Sequence, residues 1–507
     1  MTKHRAPFSI LLRVLAAILV FLGIRKIYEL ASEPIAEKDF FPDIQHERKP
    51  LDEAPVQLPF SQLGGTIDDA SGVDRTAVYG ILPISSEDEL RHALHFARQQ
   101  KLPVSIAGAK HSMGGQAFAT DALVLDMRGF NHMSVDTKNK ILTVQSGAIW
   151  HTIQEYLNPY KLSIEAMQSI DVPTVGGTIA VNAHGLDHRI GGIASTILSL
   201  RLMLADGSIQ TLSRGENSTL FQAVVGGYGL LGIILDVQLT LMDNLAYTEV
   251  RINMKTQDFP AAYTAIVNDE AYHMFYARLS TAPSSFLQEL IMYSYKVVDQ
   301  PVSLEPLKSE NFVMLTRFVF NLGRKSYVGR EIKWWAEKYI QPFLQTFPQS
   351  RNQIMHRSYA YLKNNLQNNT DVLQEYFLPK EQILAFIQGL GDILQKHTVV
   401  TRNVEIRSVH KENILLDYAK ADWFGVVLYL NFDVTEQDMR NIKEAHSDLI
   451  DLAQSLGGSF YLPYQLSATR AQIEQSYPEF GKFLALKKKY DVDLLFTSTF
   501  YKKYGTI

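Results

Sequence analysis

The stretch Ser105–Gln116, SIAGAKHSMGGQ, sets a histidine among small side chains immediately after a short apolar run. Further on, Asp171–Gly185, DVPTVGGTIAVNAHG, is again rich in glycine and small polar residues, and a third run, GGYGLLGII, begins at Gly226. Backbone N–H groups converge on a phosphate only where no side chain intervenes, so loops of this composition suit a pyrophosphate and the face of a planar ring. In the first loop Gly108, Ala109, Gly114 and Gly115 leave the backbone open. His111 could hold a ring there by a covalent bond, or sit beside it as a hydrogen-bonding neighbour. In the second, Thr174, Gly176, Gly177, Thr178 and Asn182 supply small and hydrogen-bonding groups for the ring and its tail. The first loop lacks the G-x-G-x-x-G spacing, so a Rossmann-type site is not indicated there.

Far along the chain, Asn403-Val-Glu-Ile-Arg-Ser-Val reads as a strand with Glu405 and Arg407 on one face. Two uses fit such a pair. One is an ion pair at a sheet surface, which contributes little. The other is catalytic: Glu405 orients or deprotonates a substrate hydroxyl while Arg407 offsets developing negative charge. His184 and His188 would share a metal from one helix face, but their glycine-rich context is not helical and no third ligand is evident, so no metal is expected. The chain has no cysteine, which removes disulfides, thiolate ligands, cysteine nucleophiles and any cysteinyl cofactor link.

A length of 507 residues fits two or three domains, and 46% hydrophobic residues are enough to give them cores. A net charge of −4 argues against a general nucleic-acid binder, and the short run Lys487–Lys489 reads as a solvated face. Near the start, Lys3, His4 and Arg5 precede the apolar stretch Ala6–Ile24, interrupted only by Arg13. Its unbroken part is short for a membrane span, but Arg13 can snorkel to the interface. The residues that follow make a poor cleavage site. A signal anchor is therefore favoured over a cleaved signal or an amphipathic surface helix. Basic residues at both ends specify orientation weakly, with the extracytoplasmic side slightly favoured.

The positioning elements are legible in outline. Ser86-x-x-Glu89 is a capping box ahead of the helical set Leu90, Ala93, Leu94 and Ala97. Short strands are expected at Pro103–Ile106, Leu123–Met127 and Ile141–Gln145. Ile197–Leu212 alternates about Asp206-Gly207 and predicts a hairpin with a type I′ turn. Ile233–Leu241 predicts a further strand, and Glu474–Lys489 an amphipathic helix broken early by Pro478. After Asn244 glycine thins out and aromatics multiply, including Trp334-Trp335. Without strict βαβ alternation, the class expected is α+β.

The order of the His-Ser loop, the TVGG segment, the LMLADGS hairpin and the GYGLLGII strand across Val78–Met242 resembles the FAD-binding domain of the vanillyl-alcohol oxidase / p-cresol methylhydroxylase (PCMH-type) superfamily. Gly108–Ser112 is similar to the Gly-x-x-His-Ser loop of the aldonolactone and alditol oxidases, and Glu405-Ile-Arg407 to their Glu-x-Arg strand. The resemblance implies FAD, attached through His111 by the flavin 8α-methyl carbon or held noncovalently. It adds Ala107, Lys110, Ser112, Met113 and Gln116 to the cofactor contacts, with Gly185, Ile233 and Tyr461 from later segments, and puts His184 at the ring or substrate. It implies oxidation of a CH–OH group of a sugar, lactone or polyol by hydride transfer to flavin N5, with oxygen, a quinone or a carrier as acceptor.

Asn182-Ala-His-Gly-Leu-Asp-His is also similar to the decaprenylphosphoryl-ribose oxidases, which implies a lipid-linked sugar as an alternative substrate. One departure bears on the alditol reading. Those enzymes place a lysine near the segment that here reads Tyr461-Leu-Pro-Tyr-Gln-Leu-Ser, so Tyr464 or Gln465 would take its space. A flavin-binding membrane protein without catalysis is a third reading. The expected division is 1–30 anchor or signal, 31–72 linker, 73–245 FAD-binding domain of two subdomains, 246–458 mixed substrate domain with an antiparallel sheet, and 459–507 returning to the FAD domain.

Overall fold

The computed structural model describes residues 58–505 except 304, 309–312, 325, 345–346, 358, 365 and 367; before residue 58 only Gly23 is described. The expected anchor, Ala6–Ile24, therefore lies outside the described residues but for Gly23. Among the described residues no helix is long and apolar enough to cross a membrane.

The first lobe forms where sequence signals are strongest. The Ser86 hydroxyl accepts from the Glu89 amide while the Glu89 carboxylate accepts from the Ser86 amide, which starts the helix Glu87–Gln100. Leu90, Ala93, Leu94 and Ala97 are buried by that helix. The chain turns at Lys101 and enters the strand Val104–Ala107, whose far end releases the His111 loop. The sheet runs Gln62–Leu63, Gly80–Pro83, Leu123–Asp126, Val104–Ala107, with the last three parallel. Residues 62–77, the first part of which was expected as linker, contribute Gln62–Leu63 to this sheet and the small pair Thr66–Ile67 with Thr76–Ala77.

The second lobe is antiparallel, in the order Ile209–Ser213, Ile197–Met203, Ile233–Asp243, Ile141–Gln145, Met133–Asp136, with Leu162–Ile164 on the end of Ile233–Asp243. The hairpin at Asp206-Gly207 forms, but not with the expected turn. A type I′ turn needs two successive left-handed residues, and here only Gly207 is left-handed, at φ 86°. Its amide donates to the Leu204 carbonyl, and Asp206 accepts from the Ser208 amide and hydroxyl, so a longer loop closes the hairpin.

The third sheet has eight antiparallel strands: Gln349–Ser350, Ala246–Lys255, Glu289–Val297, Tyr272–Leu279, Val400–Val409, Trp423–Asp433, Asn369–Leu378 and Ser459–Phe460. Helices Ile383–Lys396 and Glu436–Ser455 bury Phe386, Leu390, Leu449 and Ala453 against one another and the sheet. The molecule is therefore α+β, with mixed small sheets beside one large antiparallel sheet. The last segment runs back to the first lobe: the Val104 amide donates to the Leu495 carbonyl, the Thr497 amide to the Val104 carbonyl, and Phe500 stacks on Tyr228. The helix expected over Glu474–Lys489 is two, Arg470–Ser476 and Phe480–Tyr490, divided at Pro478.

Candidate active site

The three glycine-rich runs and the large sheet enclose one cavity of about 930 Å³. Ala107, Gly108, Ala109, Lys110, His111, Ser112, Met113 and Gln116 line it from the first loop, and Thr174, Gly176, Gly177 and Thr178 from the second. The two loops touch: a Cβ on Gly108 would fall 2.1 Å from Thr174 Oγ1, so only glycine lets them approach this closely. Asp69 clamps the far side of the first loop. Its carboxylate accepts from the amides of Gly114 at 2.9 Å and Gly115 at 2.7 Å and from the Ser112 hydroxyl at 3.1 Å.

His111 is edge-on to Tyr359 with ring centroids 5.4 Å apart, and burial lowers its pKa to about 4, so its imidazole is neutral. Its Nδ1 is buried without a hydrogen-bond partner, as are Gln116 Oε1, Ser146 Oγ, His184 Nδ1 and Asn403 Oδ1, all from residues around the same cavity. Buried polar atoms are ordinarily paired, so this set marks a place where a polar guest completes the bonding. A cradle of small residues with unsatisfied polar atoms set around it fits FAD.

The large sheet supplies the opposing wall. Arg278, Glu405, Val427 and Glu375 lie in one cross-strand row, because Arg278 pairs with Glu405, Glu405 with Val427, and Val427 with Glu375. All four line the cavity. Arg407 donates to Glu405 Oε1 from Nε at 2.8 Å and Nη2 at 2.7 Å, and reaches Ser169, just ahead of the second loop. Arg278 approaches the other carboxylate oxygen at 3.5 Å. Burial alone would raise the Glu405 pKa, but the guanidiniums of Arg407 and Arg278 outweigh it and hold the carboxyl below its ordinary range. Glu405 is 6% exposed in an interior strand, so the surface ion-pair reading does not describe it. His184 Nε2 bonds Glu375 Oε1 at 2.8 Å. That carboxylate has room because position 425 is glycine; a Cβ there would lie 2.8 Å from it.

Several residues singled out in the sequence stand elsewhere. Gly114 backs onto the Tyr464 carbonyl, and Gly185 onto that of Met167. Asn182 caps the helix Val175–Val181, and its side chain accepts from the Ala194 amide. Ile233 is fully buried between sheets, while its neighbours Gly232 and Ile234 reach the cavity. Tyr461 lines the cavity and donates to the Val181 carbonyl. Tyr464 does face the cavity, whereas Gln465 turns to Asp74 and the Met113 carbonyl. His188 packs edge-on to Phe275 and is not among the residues that line the cavity. Among the described residues the group with metal-type ligand atoms within 4.8 Å is His151, Glu155 and His356.

Reading the sequence alone missed Glu375, Arg278, Asp69 and the pair Lys333–Glu337. Glu375 and Arg278 are each a charge inside an apolar strand, VLQEYFL and YHMFYARL, and that anomaly was the available signal. Lys333 and Glu337 are four apart on the helix Tyr327–Tyr339 and both line the cavity, with Glu337 also bonded to Arg278. Burial lowers the Lys333 pKa to about 8.

Residues 80–213 match the FAD binding domain family and residues 312–504 the D-arabinono-1,4-lactone oxidase family. The chain is similar to L-gulonolactone oxidase of Mus musculus, 24% identical over 83% of this chain and 93% of that protein. It is similar to L-gulono-1,4-lactone dehydrogenase of Mycobacterium tuberculosis, 21% identical over 83% of this chain and 94% of that one. A shorter match, 32% identical over 32% of this chain and 37% of the relative, is to decaprenylphosphoryl-beta-D-ribose oxidase of Mycolicibacterium smegmatis.

Proposed function

We propose that this chain, which joins a match to the FAD binding domain family with one to the D-arabinono-1,4-lactone oxidase family, is an FAD-dependent oxidoreductase of the aldonolactone-oxidase type that oxidises a CH–OH group of a sugar-derived lactone. The observation that carries the reading is the charged row Arg278, Glu405 and Glu375, which faces the His111 loop across a single cavity. The loops around Gly108 and Gly176 hold the cofactor, and bound FAD supplies the two-electron acceptor. Glu405, kept ionised by its two guanidiniums, accepts a hydrogen bond from the substrate hydroxyl and fixes its orientation. Arg407 and Arg278 offset negative charge on the substrate oxygen. His184, oriented through Nε2 by Glu375, takes the hydroxyl proton at Nδ1.

His111 is the attachment point for a covalently held cofactor, supported by its neutral, unpartnered Nδ1 beside the cradle. The apolar stretch Ala6–Ile24, flanked by Lys3–Arg5, supports an anchor that holds the chain at a membrane on the extracytoplasmic side, with a quinone or carrier as acceptor.

Anaerobic mixing of the FAD-loaded protein with D-arabinono-1,4-lactone, L-gulono-1,4-lactone, the free sugars and polyols tests the reaction. Bleaching of the flavin absorbance by a lactone is expected; no bleaching by any of them overturns the reading. Flavin fluorescence in a denaturing gel, lost in His111→Ala, tests the linkage.

A further inference from the structure

The helices that wall one end of the cavity present apolar side chains to the outside. In the helix Tyr327–Tyr339 every exposed residue is apolar or aromatic: Tyr327, Val328, Ile332, Trp335 and Tyr339. The last four follow at helical spacing and form one stripe. Lys333 and Glu337 of the same helix turn inward to the cavity. A surface helix ordinarily has the reverse arrangement, with its charges outward and its apolar stripe on the core. The neighbouring helices extend the stripe, with Phe318 and Leu322 on Val313–Leu322 and Phe343, 85% exposed, on Gln341–Leu344; both pack against Tyr327–Tyr339. Ten of the eighteen exposed large apolar side chains among the described residues fall between Phe318 and Leu344, so this is a concentrated patch rather than the usual scatter.

We propose that this face docks on the surface of a lipid bilayer. Its composition fits that partner: Trp335, Tyr327 and Tyr339 are the side-chain types that settle at a membrane–water interface. At 13 residues the helix is too short to span, so it lies in the interface plane. A second attachment is at hand in the apolar stretch Ala6–Ile24, and stable membrane anchoring takes two signals when each is weak. The inference does not depend on the substrate or on the catalytic roles assigned above.

The four tryptophans make a direct test with the full chain. Trp150, Trp334 and Trp423 are 0, 5 and 7% exposed, whereas Trp335 is 54% exposed. The protein is bound to phosphatidylcholine–phosphatidylglycerol vesicles whose acyl chains are brominated, and its fluorescence is compared with that on unbrominated vesicles. The proposal expects a quenched component in the wild type that disappears in Trp335→Phe, while both proteins still float with the vesicles. Equal quenching of the two proteins overturns it, because the contact would then lie elsewhere. Failure of the wild type to float overturns it as well. So does a dimer in sedimentation that Ile332→Ser and Trp335→Ser each convert to monomer, since a second copy would then be the occupant.

Discussion

Glu375 and Glu405 stand on strands separated by one other and pair with the same residue, Val427, so their carboxylates open side by side onto one cavity. They have different partners. Glu405 is gripped by Arg407 and approached by Arg278, while Glu375 is bonded to His184. Two like groups in unlike surroundings take unlike roles: the first is a fixed anion, the second orients a proton-accepting imidazole.

This division predicts a contrast between two variants of the Glu405–Arg407 pair. Glu405→Gln keeps the shape and removes the anion; kcat/KM for a lactone should fall by about 10²-fold, the size of loss that misplacing a bound substrate produces. Arg278 keeps Glu337 as a partner, and Arg407 keeps Ser169 and the nearby charge of Glu375, so the fold should survive. Arg407→Met instead leaves a buried carboxylate short of its main counter-charge, and should lower stability by about 3–5 kcal/mol as well as activity. Steady-state kinetics with thermal unfolding of both variants separates the effects. Wild-type kcat/KM in Glu405→Gln would refute the role.

Gly425 is a test of the second carboxylate. A Cβ at this position falls 2.8 Å from Glu375 Oε1 and 3.3 Å from the Phe377 ring, so Gly425→Ala must push the carboxylate away from His184. The expected result is a fall in kcat of about 10-fold or more, with overpacking costing about 1–3 kcal/mol of stability. The defect should be largely absorbed in Gly425→Ala/Glu375→Gln, because both changes act on one hydrogen bond. Additive losses in the double variant would show that the glycine serves packing alone.

Local signals in the sequence proved the most legible. The capping box at Ser86, the hairpin about Gly207 and the strand carrying Glu405 and Arg407 each depend on residues close in the chain. Most of the small-residue loop positions also reached the cavity, because close backbone approach requires particular residue types. The rest depends on long-range pairing. Nothing near Glu375 announces that it will align with Glu405, since that register is set by Val427 on the intervening strand. Asp69 looked like linker because its role is to receive amides from residues 114 and 115. For Gly185 and Ile233 the resemblance implies ligand contacts, but small and apolar residues serve core packing equally well, and here they pack against Met167 and between sheets.

The Asp69 clamp should loosen with acid. Burial, against the bonds from Ser71 and Gly115, raises its pKa to about 6 from an ordinary value of 3.8. It is therefore ionised at neutral pH and gains a proton as pH falls through about 6, when its charge-assisted bonds to the loop weaken. Amide exchange at Gly114 and Gly115, corrected for the intrinsic pH dependence, should show protection reduced by about 10-fold at pH 5 relative to pH 7, the equivalent of one charged hydrogen bond. In Asp69→Asn protection should be low at both. Global unfolding should not follow from this group. The folded state takes up the proton first, so its contribution to stability grows as pH falls between about 6 and 3.8. Loop exchange that does not change between the two pH values would remove Asp69 as the clamp.

Lys333 brings a further charge to the cavity, from the helix Tyr327–Tyr339 whose Glu337 bonds Arg278. Burial lowers its pKa from 10.5 to about 8, opposed by Glu337, whose carboxylate lies 3.4 Å away. Below about pH 8 it is a cation able to bind lactone oxygens, and above that it is neutral. KM for the lactone should therefore rise as pH passes 8, with kcat less affected. Lys333→Arg should abolish that rise, because a guanidinium stays charged throughout. Lys333→Met should show the raised KM at every pH. Stability runs the other way: between about 8 and 10.5 the unfolded chain holds the extra proton, so this group's contribution increases with pH. Weakened binding above pH 8 is thus distinguishable from unfolding by a thermal melt on the same samples. An alkaline rise in KM that survives Lys333→Arg would assign it to another group.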